Sequence, residues 1–274
     1  MLKLTDNILV FTDLDGSLLS HENYQWHAAS TWLSRLDDAG IPVIMTTSKT
    51  AAEVDLLWQQ TGLTHCPFIA ENGAQIVFPA NWHTAPRLFG CDYNKLCTTL
   101  NEVRAAGHFP FSGFADVDNI TVARWTGLSP DAAHLARKRV ATEPLYWQGD
   151  EQQRLSFQLA LAKQGLSLSR GGRFWHVSGE QVSKGNAACW LTHHYQQRHH
   201  RQYLTLGLGD APNDLSFLQR MDYAVLIHNP AVEALALPAK TASHVYRTRH
   251  PGPLGWREGM DYFFNTVPNG GCHE

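Results

Sequence analysis

The chain reads as an α/β fold, a parallel sheet core flanked by helices and interrupted by an inserted α+β domain. Three observations predict it. Short apolar runs at residues 8–10, 41–46 and 203–208 each end in a small polar loop. Stretches of helical period follow these runs, and strands alternating with helices in this way close as right-handed crossovers onto a parallel sheet. From about Pro79 to Gly179 the alternation gives way to helices and hairpin strands, which is the mark of an insertion.

The first run, Ile8-Leu9-Val10, leads into Phe11-Thr12-Asp13-Leu14-Asp15-Gly16-Ser17. This is a short buried strand that delivers two carboxylates at alternate positions to its C-terminal end, where open parallel sheets bind ligands. Two carboxylates around Leu14, with Gly16 turning the chain away, suit a hard cation and a phosphate together. Ala28, Ala29, Trp32, Leu33, Leu36 and Ala39 then recur at helical spacing and Gly40 stops them. The second strand, residues 41–46, ends in Thr47-Ser48-Lys49-Thr50, and Thr50 and Glu53 have capping-box spacing at the start of the next helix. A hydroxyl at Thr47 can donate to a phosphoryl oxygen without adding charge. Residues 67–70 form a third strand, and Glu71-Asn72-Gly73-Ala74 turns it into residues 75–78 through an Asn-Gly step.

Within the insertion, residues 96–106 and 132–140 are helical, the second opened by Ser129-Pro130-Asp131. Residues 145–147 read as a strand. Residues 151–163 read as a helix with Leu155, Leu159 and Ala162 on one face. Residues 167–170 and 174–177 flank Gly171-Gly172 as a hairpin. Lys184 then opens a helix carrying Ala187, Ala188, Leu191 and Tyr195. A lysine opposes the macrodipole at a helix start, so a bound anion explains it better. The strand at residues 203–208 runs into Gly209-Asp210-Ala211-Pro212-Asn213-Asp214, and with Asp13 and Asp15 these carboxylates form an oxygen-only set suited to Mg²⁺. Leu215, Leu218 and Met221 give a helix, residues 223–227 a strand, Asn229-Pro230 a turn and residues 252–264 a closing helix. Residues 268–274 read as a frayed tail.

Composition bounds what such a chain does. Its 274 residues accommodate one large or two modest domains, and 43% hydrophobic with 17% charged residues is an ordinary globular balance. A formal net charge of -3 offers nucleic acid no global basic field. No apolar run approaches the ~20 residues of a membrane span. Asp6 and Asn7 interrupt any leader pattern at the N-terminus. Cys66, Cys91, Cys97, Cys189 and Cys272 are scattered without a Cys-x-x-Cys pair and read as reduced thiols, which points to the cytoplasm. The group His193-His194 with His199-His200 reads as a polar helix end.

The ordered motifs at Asp13, Thr47, Lys184 and Asp210 resemble those of the haloacid dehalogenase-like hydrolases, and the Glu-Asn-Gly-Ala string resembles the Cof-like branch. That resemblance implies a Rossmann-like parallel sheet core, residues 1–80 and 181–274, carrying an α+β cap at 81–180 that closes over the site. It implies Asp13 as a nucleophile forming an aspartyl-phosphate, Asp15 as general acid and base, Thr47 and Lys184 on the phosphoryl group, and Mg²⁺ held among Asp13, Asp15, Asp210 and Asp214. Thr47-Ser48-Lys49-Thr50 departs from the Thr-Gly-Arg of most Cof-like members, and with Arg170-Gly171-Gly172-Arg173 it looks like the mannosyl-3-phosphoglycerate phosphatase branch. The expected substrate contacts are Ser48, Lys49, Glu71, Asn72, Arg170, Gly171, Gly172 and Arg173; the Gly-Gly step serves equally as a plain hairpin turn. The partner implied is a small phosphorylated sugar or glycerate, with no nucleic acid and no membrane. A broad Cof-like sugar phosphatase, a phosphomutase and a non-catalytic phospho-sugar sensor stay open beside it.

Overall fold

The computed structural model describes residues 1–171, 173–232, 235, 237 and 244–264. The chain opens with β1 (Ile8–Thr12), α1 (Ser30–Asp38), β2 (Val43–Met45), α2 (Ala51–Gln60), β3 (Phe68–Ala70), β4 (Gln75–Val77) and β5 (Arg87–Leu88). It continues through α3 (Tyr93–Gly107), β6 (Phe111–Gly113), α4 (Asn119–Thr126), α5 (Pro130–Ala136), β7 (Thr142–Trp147), α6 (Glu151–Ala162), β8 (Leu166–Arg170) and β9 (Trp175–Gly179). The last elements are α7 (Lys184–His199), β10 (Leu204–Gly209), α8 (Leu215–Leu218), β11 (Tyr223–Leu226), β12 (His244–Arg247) and α9 (Gly252–Phe264). They fall into two compact units, Met1–Met45 with Cys189–Glu274, and Thr46–Ala188. Among the described residues no helix is long and apolar enough to cross a membrane.

The first unit holds a five-stranded sheet of order β12-β11-β10-β1-β2, and every pairing in it is parallel. All five residues of β1 are buried, because β10 and β2 flank the strand and both its faces are covered. A strand in that position reads as a continuous apolar run instead of an alternation, which is how Ile8-Leu9-Val10-Phe11 announces itself. Helix α9 buries Trp256, Met260 and Phe263. Its Trp256 indole N–H donates to Thr12 Oγ1 at 2.9 Å, and that hydroxyl donates to the Asp13 carbonyl at 2.8 Å, so the helix fixes the end of β1 just before the loop. The expected helix after Asp214 is shorter than its apolar spacing suggested and stops at Leu218. β12 was not signalled at all: His244 and Val245 are exposed on this edge strand, so it carries no buried run to read.

The second unit builds a four-stranded antiparallel sheet of order β6-β7-β9-β8. Helices α3 and α6 cover one face through Leu96, Leu100, Phe157 and Leu161, packed with Phe111, Leu145 and Val177. The expected face of α6, Leu155, Leu159 and Ala162, is not the buried one. Leu155 and Leu159 are exposed, while Phe157 and Leu161, four residues apart on the other side of the helix, are fully buried. The aromatic ring offers more area to remove from water than either leucine, and it decides the rotation. Helix α4 was not expected; its Val122 joins Phe114, Ala133 and Ala136 in a small second cluster. Helix α5 ends at Ala136, short of the expected residue 140, because the amides of Val140, Ala141 and Thr142 are bonded to the Glu71 carboxylate instead of to the helix. Strands β3, β4 and β5 form a separate antiparallel sheet, and the β8–β9 hairpin forms as expected around a turn in which Gly172 lies outside the described residues. The tail at residues 268–274 and Cys272 lie outside them as well.

Candidate active site

In the first unit, the ends of β1 and β10 bring Asp13, Asp210 and Asp214 together. One carboxylate oxygen from each lies within 4.8 Å of the others, and all three residues are buried. Adjacent parallel strands with partners Thr12 and Leu208 place Asp13 and Asp210 one and two residues past paired positions. Asp214 is oriented by the loop itself, its Oδ2 accepting from the amides of Asp210 at 3.1 Å and Ala211 at 3.0 Å. Asp15 stands outside this group of three and is only half-buried.

Asp210 is held by three side chains. Ser17 Oγ donates to its Oδ1 at 3.2 Å, Asn229 Nδ2 donates to Oδ2 at 2.6 Å, and His21 Nε2 meets the same oxygen at 3.3 Å. The hydrogen bond to Asp210 raises the His21 pKa above its usual value, against the burial that lowers it. Gly16 makes this approach possible: at φ +86° it occupies the left-handed region, and a Cβ there would overlap both His21 Nε2 and Asp210 Oδ2. His21 and Asn229 were not singled out from the sequence; Asn229 was read only as a turn.

Three carboxylates gathered in a buried space repel one another and present only hard oxygen donors, a set that fits Mg²⁺. The residues that would hold the ion are Asp13, Asp210 and Asp214. The ion would supply positive charge opposite the non-bridging oxygens of a phosphoryl group.

The second unit carries the other expected site residues. Thr47 is buried, and its Oγ1 accepts from the Lys49 amide at 3.2 Å. The loop is tied to the turn after β3, because the Glu71 amide donates to the Lys49 carbonyl and the Asn72 amide to the Thr47 carbonyl, each at 2.8 Å. Glu71 and Asn72 both take positive φ, 49° and 56°. Gly73, at φ +100°, lies so close to Ser183 that a Cβ would overlap its carbonyl, and this turn therefore also abuts the start of α7, where Lys184 is buried. Thr47 and Lys184 thus flank the same small turn.

The Glu71 side chain does not present itself to a ligand. It is fully buried, its Oε1 accepts from the Val140 amide at 2.8 Å, and its Oε2 accepts from the Ala141 amide at 3.3 Å, the Thr142 amide at 3.0 Å and the Thr142 hydroxyl at 2.8 Å. On the β8–β9 hairpin, the Arg170 guanidinium lies 5.0 Å from the centre of the Trp175 ring, and Arg173 donates to the Trp125 carbonyl at 3.5 Å. Gly171 packs under the His176 ring. Ser48 and Lys49 are half-buried.

Residues 10–89 match the family of haloacid dehalogenase-like hydrolases. Among solved structures, a phosphatase of the haloalkanoate superfamily from Bacteroides thetaiotaomicron is similar at 18% identity and TM-score 0.67, covering 96% of this chain and 97% of its own. A haloacid dehalogenase-like hydrolase from B. subtilis is similar at 17% identity and TM-score 0.61, covering 94% and 99%. The sucrose-phosphatase from Synechocystis, solved with sucrose and phosphate, is similar at 16% identity and TM-score 0.60, covering 95% and 98%. The match to the haloacid dehalogenase-like hydrolase family spans the first motifs, and the fold shared with these structures extends over nearly the whole chain.

Proposed function

We propose that the protein is a Mg²⁺-dependent phosphatase that hydrolyses a phosphate monoester through an aspartyl-phosphate, with mannosyl-3-phosphoglycerate as its substrate. The observation that carries this reading is the convergence of Asp13, Asp210 and Asp214 at the ends of adjacent parallel strands. A carboxylate oxygen of Asp13 attacks phosphorus, and the bond from phosphorus to the ester oxygen breaks. Asp15 gives its proton to the departing oxygen and then takes a proton from the water that cleaves the aspartyl-phosphate. Asp15 also belongs to the proposed ligand set by motif, beside the three clustered aspartates. The motif pattern assigns the Thr47 hydroxyl and the Lys184 ammonium to the phosphoryl oxygens. Residues 81–180 are proposed as the cap that reads the organic part of the substrate; Ser48, Lys49 and Asn72 from outside it and Arg170, Gly171, Gly172 and Arg173 from within it are the proposed substrate contacts.

A broader sugar phosphatase is the second reading, favoured by the fold shared with the Synechocystis sucrose-phosphatase. Phosphate release from mannosyl-3-phosphoglycerate, phosphoglycerates and hexose phosphates, with Mg²⁺ and with EDTA, separates the two. Preference for the glycosyl-phosphoglycerate by at least about tenfold in kcat/KM, or about 1.4 kcal/mol, supports the narrow reading. Comparable rates across hexose phosphates support the broad one. Absence of Mg²⁺-dependent release from every ester overturns both.

A further inference from the structure

Arg139, in the loop between α5 and β7, makes every one of its hydrogen bonds to a neutral oxygen. Its Nη1 donates to Thr142 Oγ1 at 2.8 Å and its Nε to the Ala136 carbonyl at 3.2 Å, while both terminal nitrogens approach the Ser48 carbonyl at 3.4 Å. Contacts of that length are at the outer limit of a hydrogen bond, so the edge of the fork facing Ser48 retains donor capacity. Among the described residues no carboxylate pairs with this half-buried, permanently charged group. Glu71 is reached only through the Thr142 hydroxyl, which accepts from Arg139 and donates to Glu71 Oε2, and that carboxylate is already taken by three backbone amides.

A second observation comes from β9. His176 is buried and its Nδ1 has no hydrogen-bond partner among the described residues. The strand register puts His176 on the same sheet face as Thr142 and Ser178, opposite the face packed by α3 and α6. Burial, then the charge of Arg139, push the imidazole pKa down to about 3, so the ring is neutral and adds no second positive charge beside the guanidinium. Among the described residues Arg139 has no carboxylate within ion-pair distance, the charge of the buried Glu143 acting on it only at longer range, and the His176 ring nitrogen without a partner lies within reach of the Arg139 charge. Such groups are costly to bury unless something fills them.

We infer that Arg139 is a substrate-reading residue, moored beside the Thr47–Ser48 loop, that pairs with a carboxylate on the organic part of the phosphate ester; this rests on the phosphatase function proposed above. A guanidinium fork matches a planar carboxylate with two parallel hydrogen bonds. The phosphoryl group is assigned to Thr47, and Arg139 is tied one residue further along, which leaves it for a second anion. Glu71 is its positioning residue, holding the Thr142 hydroxyl where the guanidinium meets it.

The test compares 3-phosphoglycerate with glycerol 3-phosphate, which differ in the carboxylate, as calorimetric ligands of the full-length protein. Arg139→Gln is expected to weaken 3-phosphoglycerate binding by about 30-fold or more and glycerol 3-phosphate by no more than about threefold. Arg139→Lys, which keeps the charge and loses the fork, is expected to fall between and covers the case in which the glutamine variant fails to fold. Millimolar guanidinium added to Arg139→Ala is expected to restore 3-phosphoglycerate binding selectively. Equal losses on both ligands would mean that Arg139 serves the phosphoryl group, and no loss, or no binding of either ligand by the wild type, would equally overturn the inference. A wild type that releases phosphate from esters yet shows no such discrimination defeats the Arg139 assignment alone. Binding of 3-phosphoglycerate through Arg139 without any phosphate release defeats the phosphatase reading alone.

Discussion

The three clustered aspartates carry the same functional group but are held by different means, and substitution should separate their roles. Asp13→Asn keeps the side-chain shape and removes the proposed nucleophile, so phosphate release should fall by at least roughly 10³-fold with an unchanged far-ultraviolet spectrum. Steady-state release from the purified variant at more than a few per cent of wild type would rule the nucleophile out. A second residue-scale prediction concerns acid. Unfolded, His176 binds a proton near 6.5; folded, only near 3. Its folded pKa is depressed, so the stability present above pH 6.5 is lost as pH falls from there toward 3, by as much as about 1.4 kcal/mol per unit. Urea unfolding at pH 7 and pH 5 should show a loss about 2 kcal/mol smaller in His176→Gln than in wild type. An identical loss in both proteins would show that another group titrates. Asp13, Asp210 and Asp214 were legible because an apolar run, a glycine and a carboxylate stand side by side in the sequence. The groups that orient Asp210 were not, since Ser17, His21 and Asn229 lie 193, 189 and 19 positions from it. The tie of Arg139 to Ser48 was illegible for the same reason: it spans 91 positions and carries no local pattern.

At the scale of elements, spacing alone gave α2 with its Thr50–Glu53 capping box, the buried stripe of α7 through Ala187, Ala188, Leu191 and Tyr195, and the bounds of α9. It failed where two faces compete. Helix α6 has leucines on one side and Phe157 with Leu161 on the other, and only the sheet beneath decides between them. Replacing the fully buried Phe157 by alanine should therefore cost about 3–5 kcal/mol, whereas Leu159→Ser, at 68% exposure, should stay within about 0.5 kcal/mol of wild type. Chemical denaturation of the two variants checks the rotation of the helix directly; the reverse order of losses would place α6 the other way round. Helix α4 and strand β12 were illegible on different grounds. α4 buries only Val122, too little for a stripe, and β12 is an edge whose residues are mostly exposed. The Glu71 turn shows a third kind of failure, in which an Asn-Gly step correctly marks a reversal but gives no sign that the preceding carboxylate organises a segment 70 residues away.

For the molecule as a whole, the acidic cluster makes stability depend on the ion it is proposed to bind. Mg²⁺ at about 100 times its dissociation constant should raise the unfolding free energy by roughly 2.7 kcal/mol through mass action. Asp210→Asn should reduce that increment, and without Mg²⁺ it should melt no lower than wild type, because it relieves repulsion in the cluster. Melting curves of both proteins with Mg²⁺ and with EDTA decide the matter; a wild-type midpoint indifferent to Mg²⁺ would remove the ion from the site. The pairing of β1 with β10 has a further consequence, in time. Ile8 to Thr12 leave the ribosome almost two hundred residues ahead of their partners Leu204 to Leu208. At about 5–20 residues per second, this fully buried strand waits roughly 10–40 s for the neighbour that covers one of its edges. Throughout that interval the nascent chain presents Ile8-Leu9-Val10-Phe11 as an open template, and its yield in the cell should track the supply of chaperones more steeply than its equilibrium stability does.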